Sequence, residues 1–442
     1  MPSGSLTDAF RWIDFMSQSG LSVWQVLPFG IPQGGLSPYQ CLSAFAINPA
    51  LVGHIPSISV TDGENEDFQN YCEAQHYWLH DFALYMIIKS KFEQSPWYEW
   101  PKPYRQRDPK VIEEIGNHYV NGIKTIKWQQ YYIATRWQEI RDYCQQRNIQ
   151  IFGDLPIFVA HDSADVWAHQ DLFLLDHDGQ PTVVAGVPPD YFAETGQRWG
   201  NPHYNWEAME RDNFKWWIER FHYNLDWFDL LRVDHFRGLE AVWMIDAQCE
   251  TAVDGYWQKV PGEKLLDALQ QEMQEKGRSL PLVAEDLGII TDEVRALKRK
   301  YHLPGMSVLQ FGFDEFDDNP HKPKNVDSET VVYTGTHDND TTLGWFNSLT
   351  PETQQYVLNN LGLESGERIV EKMIEMILLT DATLAIVPFQ DFLRLGSEAR
   401  MNTPGTTENN WLWQLTWEQV DTLWLNIEIH RWCESADRCK TE

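Results

Sequence analysis

Four strand-like runs of the chain end in charged residues, and these are the side chains able to do chemistry. They are Asp154 in FGDLP, Arg232 and Asp234 in LLRVDHF, Glu285 and Asp286 in VAEDLG, and His337 and Asp338 in YTGTHDND. Three carboxylates meeting at one mouth suit cleavage of an acetal, in which one acid protonates the leaving oxygen and another attacks or stabilises an oxocarbenium-like centre. Arg232 stands two residues before Asp234, so on an extended chain both side chains share a face, and the cation favours an ionised nucleophile. Glu285, beside a second carboxylate in a more enclosed setting, is expected to hold its proton and serve as the acid. Taken singly, each acid is more readily an N-cap or a strand-end ion pair. Their joint occurrence at four strand ends, with Arg232 and His337 alongside, favours catalysis. A metal reading of His337 with Asp338, or of His161 with Asp162, has no HxH or HExxH spacing behind it.

The elements that must position these residues are short β-branched or aromatic runs separated by helical patterns, the arrangement expected of a parallel sheet with crossover helices. The runs lie at 21–28, 149–159, 228–236, 282–287, 307–311, 331–336 and 384–389. Between them fall amphipathic helices such as residues 5–19, opened by a Ser5-x-x-Asp8 capping box, closed near Gly20, with Phe10, Ile13 and Met16 on one face. Thr291 caps another helix, and Thr350-Pro351-Glu352 begins a third. This alternation predicts an α/β fold of the (β/α)8 TIM-barrel class with helical insertions. Seven runs leave such a barrel one strand short, and since the chain opens on a helix, the absent strand is expected before Ser5. Residues 1–50 read as the start of the barrel, 51–145 as a helical insertion, and 146–442 as the remainder. A loop-like second insertion at about 181–206 is rich in Gly, Pro and aromatics.

Composition narrows the partners. Lys and Arg number 35 against 65 Asp and Glu, a net charge of −30 that repels nucleic acid and anionic lipid. No apolar run approaches a membrane span and no secretory leader is evident, so a cytoplasmic protein is expected, with its six scattered cysteines reduced. The 21 Trp, 17 Tyr and 21 Phe supply rings that stack on sugar faces or fill a core.

The motifs taken together are specific. VWQVLPFG, SPYQCLSAFAINP, GDLPIFVAHDSADVW, GVPPDYFAETGQRWGNPHYNW, LLRVDHFRG, LVAEDLG, VVYTGTHDNDTTLGWF and RMNTPGT resemble the 4-alpha-glucanotransferases, also called amylomaltases or disproportionating enzymes, of the alpha-amylase clan. The resemblance covers nearly the whole chain. It implies cleavage of an α-1,4-glucan, a covalent glucosyl-enzyme, transfer to the 4-hydroxyl of another glucan with retention, and no metal or organic cofactor. By motif, Asp234 is implied as nucleophile, Glu285 as acid/base, and Asp338 as the acid that binds and distorts the reacting glucose, with Arg232 and His337 beside them. Asp154, Ser37, Tyr39, Trp199 and Asn402 are implied as sugar-binding positions, and Tyr191 and Phe192 as contacting rings of a covering loop. The family usually begins with a strand ending in a Leu-His-Pro-Thr-Ser-Leu-Pro-like segment, and this chain starts just after it. It also carries Lys322 and Lys324 where members more often show Leu and His, near Asp314 on the acceptor side. The expected partners are α-1,4-glucans and malto-oligosaccharides, and the expected state is a monomer or weak homo-oligomer. An amylase-like hydrolase and a non-catalytic glucan-binding protein are the alternatives.

Overall fold

The computed structural model describes residues 4–59, 65–189, 193–420 and 424–439. Its strands are β1 (Val23–Gln25), β2 (Gln150–Leu155), β3 (Val183–Val187), β4 (Gln197–Pro202), β5 (Leu230–Val233), β6 (Ala241–Asp246), β7 (Gly255–Lys259), β8 (Leu282–Ala284), β9 (Gly305–Val308), β10 (Thr330–Tyr333) and β11 (Leu384–Ile386). Each of the seven predicted runs contains or overlaps one strand of a parallel array. One sheet runs β1-β2-β5-β8 and another β11-β10-β9. The Ala284 amide donates to Pro304 O at 2.8 Å, so the second sheet continues the first. Runs such as VVY and LVA are buried on both faces, which is why they read as continuous apolar segments rather than alternating ones.

The array has two end strands, β1 and β11, and both line a cavity of about 1000 Å³, with Trp24 and Gln25 on one side and Leu384 and Ile386 on the other. The opening helix, Ala9–Gln18, buries Ala9, Trp12, Ile13 and Met16, close to the predicted face, while Phe10 is only partly covered. Ser5 caps the 3-10 turn before it by accepting from the Thr7 amide. The described residues of the 51–145 stretch carry helices Glu66–Ala74, His76–Lys91, Pro109–His118 and Val120–Gln146.

The His76–Lys91 helix is tied to the segment that follows β2 through Asp162. Its carboxylate takes Lys89 Nζ at 2.6 Å, Tyr85 Oη at 2.7 Å and the Trp97 amide at 3.1 Å. His161 stacks on Tyr98 with ring centroids 4.1 Å apart, and its Nε2 lies 2.7 Å from Gly179 O. These two residues, considered above as metal ligands, therefore serve the insertion, and among the described residues no cluster of His, Cys, Asp or Glu is arranged to hold an ion.

The 181–206 stretch differs from its reading as a loop. It carries β3 and β4, which join β6 and β7 in an antiparallel sheet of order β4-β3-β6-β7. The local glycines and prolines hid it: Gly186 sits at an irregular register between β3 and β4, where a Cβ would meet Gln197 O at 2.2 Å. No helix among the described residues is long and apolar enough to cross a membrane.

Candidate active site

Strand register brings the first pair together. Asp154 on β2 stands opposite Arg232 on β5, and both side chains are buried. Arg232 Nη1 reaches both oxygens of Asp154, at 2.9 and 2.7 Å, while its Nη2 lies 2.9 Å from Asp234 Oδ1. One guanidinium thus spans two carboxylates. Burial works against its charge, but Asp154 and Asp234 more than offset that and hold Arg232 protonated. Burial likewise pushes the Asp154 carboxyl up, against the pull of Arg232.

Asp234 follows the end of β5, and its amide donates to Leu155 O at 3.0 Å, which carries the sheet one residue past the strand. His235 then turns left-handed, with φ of 47°. That turn aims its amide at Glu285 Oε2 at 2.7 Å, while the Leu287 amide reaches Oε1 at 3.0 Å. Glu285 is half-buried beyond the end of β8. Burial raises its carboxyl from 4.5 to about 7; Arg232 and the two amides oppose the shift and Asp234 reinforces it. His235 is itself kept neutral, because burial lowers its imidazole to about 4.

The third side of the mouth comes from β10. Tyr39 Oη donates to Asp154 Oδ2 at 2.9 Å and lies 3.0 Å from His337 Nε2, although Tyr39 and His337 are 298 residues apart in sequence. Their rings stack with centroids 5.4 Å apart. His337 Nε2 is 3.6 Å from Asp338 Oδ2, and Asn402 Nδ2 donates to Asp338 Oδ1 at 2.6 Å. Asp338 keeps 46% of its side chain exposed at the mouth, so the remaining lone pairs face solvent or a ligand. Trp199 on β4 packs its ring edge-on to His235 at 4.9 Å. Ser37 Oγ accepts from the Tyr39 amide at 3.3 Å, and so shapes the turn that presents the tyrosine.

Asp314 stands apart from this network. Its carboxylate is occupied by Asn319 Nδ2 at 2.6 Å, the Phe316 amide at 3.0 Å and Lys322 Nζ at 3.3 Å. Slight burial raises its carboxyl, but these donors outweigh that and hold it low. Lys324 pairs with Asp317 at 2.6 Å. Both unusual lysines thus neutralise acids of their own loop. Tyr191 and Phe192 lie outside the described residues.

Three features escaped the sequence reading. Asp391, 1% exposed, accepts from Thr334 Oγ1, Thr342 Oγ1 and the Thr342 amide at 2.6 to 2.8 Å, bracketing the segment that carries His337 and Asp338. Arg400 donates to Asp338 O at 2.8 Å. Trp411 lies near both Tyr39 and His337. Arg400 opens the RMNTPG motif and Trp411 follows it, whereas Asp391 lies in PFQDF outside any quoted motif.

Tyr39, Asp154, Arg232, Asp234, His337, Asp338 and Asn402 form a connected polar network, and Glu285 is held by the amide of His235, the residue after Asp234, and by the Leu287 amide. A family model described as 4-alpha-glucanotransferase matches residues 1–58 and 57–420. The chain belongs to the 4-alpha-glucanotransferase family. A 4-alpha-glucanotransferase of Thermus thermophilus is 42% identical over 92% of this chain and 90% of its own length. One from Synechocystis sp. is 41% identical over 96% of this chain and 92% of its own. An amylomaltase from Streptococcus agalactiae, solved with acarbose, superposes with a TM-score of 0.91 at 31% identity, covering 98% of this chain and 95% of that one.

Proposed function

We propose that this family member transfers α-1,4-glucan segments from a donor to the 4-hydroxyl of an acceptor by a retaining double displacement. The Asp234 carboxylate attacks the anomeric carbon while Glu285 gives its proton to the departing 4-oxygen, so the reducing-side fragment leaves neutral and the donor segment is held as an ester on Asp234. Glu285, now a carboxylate, takes the proton of an incoming 4-hydroxyl as that oxygen attacks the same carbon. Asp234 is released and Glu285 is protonated again. Each step inverts the centre, so the product keeps the α configuration.

The observation that carries this reading is the contrast between two carboxyls of one mouth. Asp234 has a buried guanidinium at 2.9 Å, whereas Glu285 is raised to about 7 by burial and is fixed by two amides. This is the division of labour that nucleophile and acid require. Asp338 takes the role of gripping and distorting the reacting glucose; its fixing by Asn402 and His337 and its half-exposed carboxylate support that role. The Tyr39 ring, tethered at its hydroxyl, offers a face to the same sugar. Asp154, Ser37 and Trp199 support that site, and Asp314 steadies an acceptor-side loop.

The seven parallel strands are read as the greater part of an eight-stranded barrel, with the cavity between β1 and β11 as the position of the eighth. The substrates follow from the chemistry: uncharged malto-oligosaccharides suit a chain of net charge −30. The test is incubation with maltotriose alone. Transfer yields glucose and longer oligomers with nearly constant total reducing ends; a steady rise in reducing ends would mean hydrolysis and overturn the reading.

A further inference from the structure

Two segments of the chain meet where Glu285 is held. The turn after β5 offers the His235 amide to Glu285 Oε2 at 2.7 Å and the Phe236 amide to Glu285 O at 3.1 Å, while the Leu287 amide reaches Oε1 at 3.0 Å. The aim of the carboxyl therefore depends on how residues 285–291, the connection from β8 to the helix Asp292–Lys300, lie against residues 234–240. The inner side of that connection is fixed through Asp286, which accepts from the Met306 amide at 2.7 Å and from Lys298 Nζ at 2.6 Å. Its outer side turns at Gly288, with φ of 87°, and the Ile289 side chain stands in solvent.

Arg237 closes that outer side. Its Nη1 donates to Ile289 O at 3.0 Å, and its guanidinium lies over the ring of Trp257 on β7, 3.8 Å from the centroid. The indole is braced in turn: it packs edge-on to Trp243 at 5.2 Å, and Trp243 Nε1 donates to Ala252 O at 3.0 Å. A guanidinium laid on a ring has already lost much of its freedom, so its donor to Ile289 O is held ready. Arg237 stands three residues after Asp234 and Ile289 four after Glu285, so one side chain joins the turn of the nucleophile to the turn of the acid.

We propose that Arg237 is a positioning residue for Glu285: braced on Trp257, it ties the connection after β8 to the turn after β5 and keeps the acid aimed at the glycosidic oxygen. The inference rests on the transferase reading. Arg237 is then needed where Glu285 moves a proton and dispensable where it does not. Maltotriose requires Glu285 twice, to protonate the departing oxygen and to take the proton of the incoming 4-hydroxyl. α-Maltosyl fluoride with azide requires it in neither step. The C–F bond breaks as Asp234 forms its ester, and fluoride departs without a proton. Azide, already an anion, then attacks the same carbon, which frees Asp234 and gives α-maltosyl azide.

The experiment compares the unmutated protein, Arg237→Met and Arg237→Lys on both reactions, reading kcat and KM for maltotriose and fluoride release in the presence of azide. Methionine keeps an apolar stem on Trp257 and removes the donor; lysine keeps the charge and one donor without the flat fork. Arg237→Met is expected to lower kcat on maltotriose about 30-fold with KM changed less than about twofold, while fluoride release changes less than about threefold. Arg237→Lys should recover part of the loss. Both reactions are run on one preparation, so a loss of folded protein lowers them alike and leaves their ratio unchanged. Equal falls in the two reactions, or no fall in either, would overturn the proposal. A raised KM at constant kcat would also overturn it and make Arg237 a direct sugar contact. An unmutated protein that turns over neither donor would overturn the transferase reading itself, and the proposal with it.

Discussion

At the scale of single residues, Asp234 and Glu285 differ in surroundings more than in chemistry, and that difference is measurable. Replacing Asp234 with Ala is expected to lower kcat at least about 10⁴-fold while acarbose affinity, measured by calorimetry, changes little. Because Glu285 must be protonated for the first step, activity should fall as pH rises through about 7, and Glu285→Gln should abolish both turnover and that limb. The same group carries a stability signature. Its folded value is raised from 4.5 to about 7, so the folded state binds the extra proton; the contribution is fully present below about pH 4.5 and is lost as pH climbs through 7. Glu285→Gln should therefore raise stability at pH 8, by about 1–2 kcal/mol, read as a higher Tm, and change it little at pH 4. These two carboxylates were legible in the sequence because each ends an apolar strand run. Trp411 was not, since nothing in its neighbours announces a left-handed backbone for a tryptophan.

At the scale of elements, the segment bearing His337 and Asp338 depends on a side chain from a different part of the chain. Asp391 caps both flanks of that segment from within the core. Asp391→Ala would leave two hydroxyls and an amide without their acceptor, at a cost of about 2–4 kcal/mol in denaturant unfolding. Transfer activity should drop further than the folded fraction alone accounts for. On β2, a Cβ at Gly153 would lie 2.2 Å from Phe228 Cδ2, so Gly153→Ala should force the strand away from its neighbour and weaken the Asp154–Arg232 pair. The parallel strands could be read because burial on both faces leaves uninterrupted apolar runs. β3 and β4 could not: Gly186, Gly196, Pro188 and Pro189 interrupt the period-two pattern, and their partner strand β6 lies more than thirty residues on. Asp391 escaped as well, because an aspartate shortly after a proline reads as an ordinary helix-start residue.

At the scale of the whole molecule, a net charge of −30 predicts that added salt raises Tm, since screening relieves self-repulsion of the compact state. The connection of Tyr39 to His337 across 298 residues shows why candidate residues could be nominated from sequence but their bonds could not: strand ends nominate residues, and only the three-dimensional packing of distant segments decides which of them touch. The two end strands leave a mark of their own. Among the described residues, strands β2, β5 and β8 have a hydrogen-bonded neighbour on both sides, whereas β1 and β11 each have one and look onto the same cavity. Deuterium uptake should accordingly grade across the array, slowest at β5 and fastest for the outward amides of β1 and β11. Any polypeptide that came to lie between them would register as protection gained on both rims together.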